Sequence, residues 1–144
     1  METKSILLVE DDELDVISVE RALVKIEYDV KLYTAFNGKE ALSLLSGDNP
    51  IPKPDFILLD VNMPKMNGLE FMRALRQNRS FDDVKVFVMT TSNEDQDRNE
   101  LYNLGVSGYI LKPLNFTDNT KKSSSMDNFM RFQILKILNN EHQS

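Results

Sequence analysis

Apolar and polar residues alternate along this chain in blocks that predict strands and helices in turn. Short, nearly continuous apolar runs are typical of strands buried on both faces, whereas strict alternation is typical of an edge strand. The apolar runs cover residues 6–9, 56–59, 84–89 and 109–111, and the alternating run covers residues 30–35. Apolar residues at helical spacing follow the strands, at residues 16–26, 41–45, 69–75, 101–104 and 126–137. This order predicts an α/β fold, in which helices cover both faces of a parallel sheet.

Two segments between these elements have the composition of loops. Residues 48–54 contain three of the five prolines, and proline removes a backbone donor and disfavours a helix at the residue before it. Residues 115–125 are polar and rich in Ser, Lys and Thr, which predicts a mobile loop. We therefore expect the final helix to cover about residues 126–139.

The predicted final helix carries two apolar stripes. Its buried face is predicted by residues at intervals of 4, 4 and 3, namely Met126, Met130, Ile134 and Ile137. A second stripe consists of Phe129, Phe132 and Leu135. The sequence leaves two interpretations of the second stripe open: a broad core face, or a surface for a partner protein or a homodimer.

Length and composition narrow the classes of protein. The 144 residues predict one compact domain, and the 17 basic against 23 acidic residues argue against non-specific nucleic-acid or membrane-surface binding. The absence of cysteine excludes disulfides, thiolate metal sites and a cysteine nucleophile. The first apolar stretch has four residues, too few for a signal-peptide core or a membrane span. We therefore expect a cytoplasmic protein without a membrane segment.

Chemically active side chains follow four of the five predicted strands. They are Glu10 and Asp11 after the first strand, Asp60 after the third, Thr90 after the fourth and Lys112 after the fifth. In open parallel sheets, ligands bind at the carboxyl ends of the strands near the topological switch point. We therefore expect three carboxylates, one hydroxyl and one ammonium to meet at one edge of the sheet.

This combination of groups fits phosphoryl transfer. Three converging carboxylates repel one another unless protons or a cation neutralise them, and hard oxygen ligands select magnesium or a similar ion. A lysine and a hydroxyl can hold the oxygens of a phosphoryl group, and an aspartate can accept it covalently. The sequence therefore predicts a phosphoryl-accepting aspartate beside a magnesium site.

Each of these residues also has a structural interpretation. Glu10 and Asp11, with the two acids that follow them, are of the type that caps a helix N-terminus. Asp60 is also suited to an ordinary turn, Thr90 to a helix cap or a strand, and Lys112 to a solvated surface. The four independent placements at equivalent strand ends favour one shared site over coincidence.

Four stretches of the sequence together resemble the receiver domain of bacterial two-component response regulators. They agree with that family in order and spacing, and they cover residues 6–12, 58–68, 88–92 and 108–113. The resemblance implies a flavodoxin-like, doubly wound, five-stranded parallel sheet of order 2-1-3-4-5, flanked by five helices. It implies a single receiver domain over residues 1–144, with a core at about 4–114 and an atypical loop at 115–125.

The resemblance also implies roles for site residues. Asp60 is similar to the phospho-accepting aspartate and Asp11 to a ligand of Mg²⁺. Glu10 lines the acidic pocket, bound to the metal directly or through water, and the backbone carbonyl of Asn62 is a further ligand.

The remaining implied roles concern the phosphoryl group and its readout. Thr90 and Lys112 would bind phosphoryl oxygens, and the Lys112–Pro113 bond would be cis. Tyr109 looks like a switch aromatic that turns inward when Thr90 moves toward the phosphoryl group, although half-buried packing on a strand also explains a tyrosine there.

The resemblance also implies which kinds of protein act as phosphoryl donors and as targets. Members of the family take the phosphoryl group from a sensor histidine kinase or a histidine phosphotransfer protein, and they catalyse only their own phosphorylation and dephosphorylation. Because the sequence ends at Ser144, we expect no DNA-binding module and an output through a downstream protein target. The proline-rich loop before Asp55 and the run Thr90-Thr91-Ser92 are similar to stand-alone receivers that serve phytochrome-like kinases.

Three other classes compete with this interpretation. A phosphatase of the haloacid dehalogenase type needs a second aspartate two residues after its nucleophile, where this chain has Asn62. A nucleotide-binding domain needs a phosphate-cradling glycine loop, which the five glycines do not form. A receiver-like interaction module that is never phosphorylated remains, and failure to bind magnesium would favour it.

Overall fold

Strands and helices alternate through the whole described chain. The computed structural model describes residues 4–26, 29–61, 63, 66–90, 98–114 and 124–142, the last five by their backbone alone. Within these ranges the strands are β1 Lys4–Val9, β2 Val30–Ala35, β3 Phe56–Asp60, β4 Lys85–Thr90 and β5 Gly108–Leu111. The α-helices are α1 Glu13–Val24, α2 Gly38–Ser46, α3 Gly68–Gln77, α4 Arg98–Asn103 and α5 Ser125–His142, and a 3₁₀ turn covers Arg79–Phe81.

The five strands form one parallel sheet in the order β2-β1-β3-β4-β5. This confirms the predicted strand order and the α/β class. The order reverses between β1 and β3, whose ladder pairs Ile6 with Phe56 and Val9 with Leu59. The carboxyl ends of these two strands therefore flank the switch point of the sheet, where ligands of such folds bind.

Two apolar layers cover the sheet, one on each face. Alternate residues of β1 point to opposite layers, Leu7 to one and Leu8 to the other. The layer of Leu7 receives the buried side chains of α2, α3 and α4, and the layer of Leu8 receives those of α1 and α5. Burial on both faces explains why the central strands are continuous apolar runs, whereas β2 at the edge alternates.

Side-chain caps fix where three helices begin. Asp12 caps α1 by accepting a hydrogen bond from the Leu14 N–H, and Asn37 caps α2. Asn67 and Glu70 form a reciprocal capping box at the start of α3. In the acidic cluster after β1, the capping interpretation is therefore right for Asp12.

The start of α5 is tied directly to the chain that follows β5. The Met126 N–H donates to the Leu114 carbonyl at 3.1 Å. Ser124 and Asp127 form a reciprocal capping box, with the Asp127 N–H donating to Ser124 Oγ at 3.0 Å and the Ser124 N–H to Asp127 Oδ2 at 2.9 Å. Of the predicted loop, residues 115–123 lie outside the described residues. The final helix begins one residue earlier and ends three residues later than predicted, since its last turn is polar and carries no apolar signal.

The second stripe of α5 divides between core and surface. The ring of Phe129 makes edge contacts with Phe87 at 5.0 Å and with Phe56 at 6.2 Å between centroids. Phe132 and Leu135 are 62% and 44% exposed. The core interpretation is therefore right for Phe129 alone. Of the helices described, none has the length and apolar character needed to cross a bilayer.

Candidate functional site

The carboxyl ends of β1 and β3 bring three carboxylates together. Glu10 directly follows β1 and is 1% exposed, and Asp60 ends β3 and is 4% exposed, whereas Asp11 is exposed. One carboxylate oxygen from each of the three lies within 4.8 Å of the others. The Glu10 N–H donates to the Ala35 carbonyl at 2.9 Å, so the backbone of Glu10 is held against β2.

A glycine allows α3 to begin against the end of β3. The Gly68 N–H donates to the Val61 carbonyl at 3.1 Å. A Cβ at this position would lie 2.9 Å from the Val61 Cα and 3.2 Å from the Asp60 carbonyl oxygen. Because a larger residue would push the helix away, Gly68 is needed to bring the N-terminus of α3 up to Asp60.

Thr90 and Lys112 lie at the ends of the next two strands. Asp60 pairs with Met89 in the β3–β4 ladder, so the buried Thr90 lies one residue beyond that level. The Lys112 N–H donates to the Thr90 carbonyl at 2.8 Å, and the Lys112–Pro113 bond is cis. The structure therefore places both residues at the edge of the sheet that carries Asp60.

The Lys112 ammonium contacts three carboxylates. Its Nζ lies 2.8 Å from Asp15 Oδ2, 2.9 Å from Glu10 Oε2 and 3.6 Å from Asp60 Oδ2. The sequence pattern missed Asp15, because acids are common in the first turn of any helix. Helical spacing is the signal that identifies it: Asp15 precedes the fully buried Val19 by four residues and shares its inward face.

Burial and charge shift two pKa values at this edge. Desolvation, then the hydrogen bond and charge of Asp60, raise the pKa of Glu10 to about 8, although Lys112 acts in the opposite direction. Burial tends to lower the pKa of Lys112, but its hydrogen bonds to Asp15 and Glu10 and the charge of Asp60 raise it above its usual value. Lys112 is therefore a permanent cation among carboxylates that it does not fully neutralise.

The oxygen donors at this edge fit a hard divalent cation. Glu10, Asp11 and Asp60 supply carboxylate oxygens within reach of a single ion, which is the donor type that magnesium and manganese prefer. Lys112 balances one negative charge of the group, so a net negative charge remains to attract the cation. Asn62, the fourth predicted ligand, lies outside the described residues.

Tyr109, the predicted switch residue, contacts the start of α4. Its hydroxyl donates to the Arg98 carbonyl at 3.1 Å, and the Arg98 guanidinium carbon lies 4.3 Å from the ring centroid. The half-buried ring packs against the same apolar layer as Leu101. The position of Tyr109 is therefore linked to the first turn of α4, a contact that no pattern in the sequence predicts.

Most of the chain matches a known family model. The model describes the response regulator receiver domain, and it matches residues 6–123. Among characterised relatives, the response regulator Rcp1 of Synechocystis sp. is 33% identical over 129 residues, which cover 88% of this chain and 88% of Rcp1.

Solved structures share the fold along nearly the whole chain. A two-component response regulator from Legionella pneumophila is 38% identical with a TM-score of 0.76, covering 94% of this chain and 98% of its own. The Mn²⁺-bound form of Rcp1 is 30% identical with a TM-score of 0.76, covering 90% and 94%. The phosphorylated cyanobacterial phytochrome response regulator RcpA is 30% identical with a TM-score of 0.72, covering 95% and 91%.

Proposed function

This chain belongs to the response regulator receiver domain family, and we propose that it accepts a phosphoryl group on Asp60 within a two-component phosphorelay. One observation carries the proposal: Asp60 is a buried carboxylate at the switch point of the sheet, 3.6 Å from the Lys112 ammonium and beside two further carboxylates. A carboxylate in this setting has both a cation for phosphoryl oxygens and oxygen donors for a metal.

The transfer requires that the protein position the reacting groups and stabilise the charge on the phosphoryl oxygens. A carboxylate oxygen of Asp60 forms a bond to phosphorus, while the phosphorus–nitrogen bond of a donor phosphohistidine breaks and its electron pair stays on the imidazole. Lys112 and the Thr90 hydroxyl bind phosphoryl oxygens, whose negative charge is spread in the transition state. The chain acts on its own aspartate and so is a signalling domain whose chemistry ends with its own phosphorylation and dephosphorylation.

We assign Mg²⁺ to the carboxylates of Glu10, Asp11 and Asp60 and to the backbone carbonyl of Asn62. When bound, Mg²⁺ offsets the negative charge of the carboxylates and of the phosphoryl group that approaches them. The all-oxygen donor set supports this assignment, and the relative Rcp1 has been crystallised in a Mn²⁺-bound form.

Thr90 and Tyr109 form the proposed switch. A phosphoryl group on Asp60 carries about −1.5 to −2 charges in place of the single charge of the carboxylate, and it brings strong acceptor oxygens beside Thr90. A Thr90 hydroxyl drawn toward these oxygens leaves space that the Tyr109 ring can fill, and the contacts of Tyr109 with Arg98 connect that movement to α4.

The donor in this proposal is a sensor histidine kinase or a histidine phosphotransfer protein in the cytoplasm. Leu14 and Ile17 on α1 are 75% and 41% exposed close to the acidic edge, and such exposed apolar side chains suit a protein partner. The output is a downstream protein target. The exposed Phe132 and Leu135 of α5 are suited to that target or to a homodimer.

Intact mass measured after incubation with acetyl phosphate tests the proposal. We expect the wild-type protein to gain one phosphoryl group when Mg²⁺ is present and none after chelation. Asp60→Asn removes the nucleophilic oxygen with little change in size and should gain none. Asp48→Asn is the matched control, since it makes the same substitution at an exposed position and should behave as the wild type.

Two results would contradict the proposal. A wild-type protein that gains no mass with Mg²⁺ and acetyl phosphate would favour an interaction module that is never phosphorylated. A gain that persists in Asp60→Asn would place the acceptor elsewhere.

A further inference from the structure

The nearest carboxylate to the Lys112 ammonium belongs to a helix and not to a strand end. Nζ lies 2.8 Å from Asp15 Oδ2, slightly closer than Glu10 Oε2 at 2.9 Å and much closer than Asp60 Oδ2 at 3.6 Å. The side chains of Lys112 and Asp15 are 12% and 17% exposed. Solvent and salt therefore screen this ion pair less than they screen a surface pair.

The start of α1 fixes the position of Asp15. The helix begins after Asp12, whose side chain accepts a hydrogen bond from the Leu14 N–H at 2.9 Å. One turn further along, the fully buried Val19 holds the same face of α1 against the sheet. Asp15 is thus carried by a capped and packed helix, which sets its carboxylate beside the strand ends.

Among the described residues, two carboxylates lie close enough to the Lys112 ammonium for hydrogen bonds of normal length. An ammonium has three N–H donors, and the long stem of lysine loses rotamer entropy when it is fixed. Asp15 and Glu10 account for two donors, and Asp60 Oδ2, at 3.6 Å from Nζ, is too distant for a good hydrogen bond to the third. We propose that Asp15 is a positioning residue, which with Glu10 holds the Lys112 ammonium so that its third N–H meets a phosphoryl oxygen on Asp60.

This inference rests on the proposed function and deepens it. During transfer, the Asp60 oxygen bonds to phosphorus while the donor's phosphorus–oxygen or phosphorus–nitrogen bond breaks and its electron pair leaves with the donor. Lys112 stabilises the charge on the phosphoryl oxygens only if it is already in place. Asp15 touches neither the phosphorus nor its oxygens, so it acts through Lys112 alone.

The first test compares the rates at which variants are phosphorylated by acetyl phosphate at saturating Mg²⁺, followed by intact mass. We expect Asp15→Ala to be phosphorylated about 10-fold more slowly. A loss of this size is typical when a residue that orients a site's contacting groups is removed. Asp15→Glu should recover part of the rate, because the carboxylate returns on a longer stem. Glu13→Gln is the matched control, since it removes one charge from the same helical turn at an exposed position and should keep the wild-type rate.

The second test does not depend on phosphorylation. A lysine ammonium gives a resolved ¹H–¹⁵N signal when hydrogen bonds hold it, and the signal of Lys112 is identified by its loss in Lys112→Met. We expect this signal in the unphosphorylated wild-type protein and in Glu13→Gln, and we expect its loss in Asp15→Ala. Asp15→Asn, which keeps the size of the side chain, replaces Asp15→Ala should the latter not fold.

The outcomes separate the inference from the proposed function. If the wild type takes up a phosphoryl group but Asp15→Ala keeps the wild-type rate or the Lys112 signal, the inference is overturned and the proposed function stands. Absence of uptake by the wild type overturns the proposed function and the inference with it.

Discussion

At the scale of single residues, the acidic cluster after β1 shows how position decides the role of a side chain. Glu10 is buried and bonded to Lys112, Asp11 is exposed beside the predicted metal site, and Asp12 caps α1. All three are carboxylates in consecutive positions. Their environments differ because the backbone turns between β1 and α1, so that the three side chains point in different directions.

Tyr109→Phe should lower stability slightly and leave phosphorylation unchanged. The substitution removes the hydroxyl that donates to the Arg98 carbonyl at 3.1 Å but keeps the ring under the guanidinium. We expect the free energy of unfolding in urea to fall by about 0.5–1.5 kcal/mol. Tyr102→Phe is the control, because Tyr102 is 73% exposed and its hydroxyl loss should have almost no effect. Loss of phosphoryl uptake in Tyr109→Phe would give Tyr109 a chemical role in place of a switch role.

The sequence could predict the residues at strand ends but not their partners from the helices. Asp60, Thr90 and Lys112 are marked by the apolar runs that precede them, and parallel strands necessarily end at one edge. Asp15 and Arg98 meet Lys112 and Tyr109 only because α1 and α4 pack on the sheet at particular angles. Those angles depend on the shapes of all the side chains in the interface, which a pattern along the chain does not contain.

At the scale of elements, a buried carboxylate ties the first turn of α5 to Lys25, the residue that follows α1. Asp127 Oδ2 lies 2.6 Å from Lys25 Nζ and also accepts the Ser124 N–H. Burial alone would raise the pKa of Asp127, but the hydrogen bonds from Lys25 and Ser124 outweigh it and lower that pKa. The carboxylate therefore stabilises both the helix start and the contact between the two helices.

Asp127→Asn should destabilise the protein at neutral pH and much less in acid. A lowered pKa in the folded state means that the stabilisation is complete above the unfolded pKa of about 3.9 and is lost as pH falls through and below that value. We expect a loss of about 1 kcal/mol at pH 7, because Lys25 is 53% exposed and its attraction is partly screened.

Urea unfolding of both proteins between pH 3 and pH 7 measures this difference. Glu20→Gln serves as the control, since it removes one charge from an exposed position of α1. A difference between Asp127→Asn and the wild type that stays constant over this range would show that the charge of Asp127 does not stabilise the fold.

The predicted elements agree most closely with the structure where an apolar signal marked both ends, and they are less exact where polar side chains set the boundary. The strands agree with their apolar runs to within one or two residues. The start of α5 depends on the capping box of Ser124 and Asp127, and Ser124 lies inside the segment predicted as a loop. The sequence signature of that box, a serine three residues before an acid, is short and therefore easily passed over.

At the scale of the whole molecule, the fold gathers charge at one edge while both faces of the sheet stay apolar. Four carboxylates and one ammonium lie around the ends of β1, β3 and β5 and the start of α1. This concentration of like charge opposes folding, and the proposed cation would offset it. Metal binding and global stability should therefore be linked.

Mg²⁺ should raise the melting temperature of the metal-stripped protein. At a concentration 100 times the dissociation constant, a ligand of the folded state adds about 2.7 kcal/mol, which corresponds to about 5–10 °C for a domain of this size. Asp11→Asn removes one proposed ligand at an exposed position and should abolish most of the shift. Asp48→Asn should show the full shift in the same thermal scan. An equal shift in Asp11→Asn and the wild type would remove Asp11 from the metal site.

The hydrogen bond between Leu114 and Met126 affects which part of the sequence can change without loss of the fold. It fixes two points of the chain side by side, although residues 115–125 separate them in the sequence. The entropy of closing a loop grows slowly, by about 0.6 kcal/mol for each doubling of its length. Insertions, deletions and changes of composition among residues 115–123, which precede the Ser124 cap, should therefore cost the fold little free energy. The length and composition of this segment can therefore change without disturbing the carboxylates and the ammonium at the sheet edge.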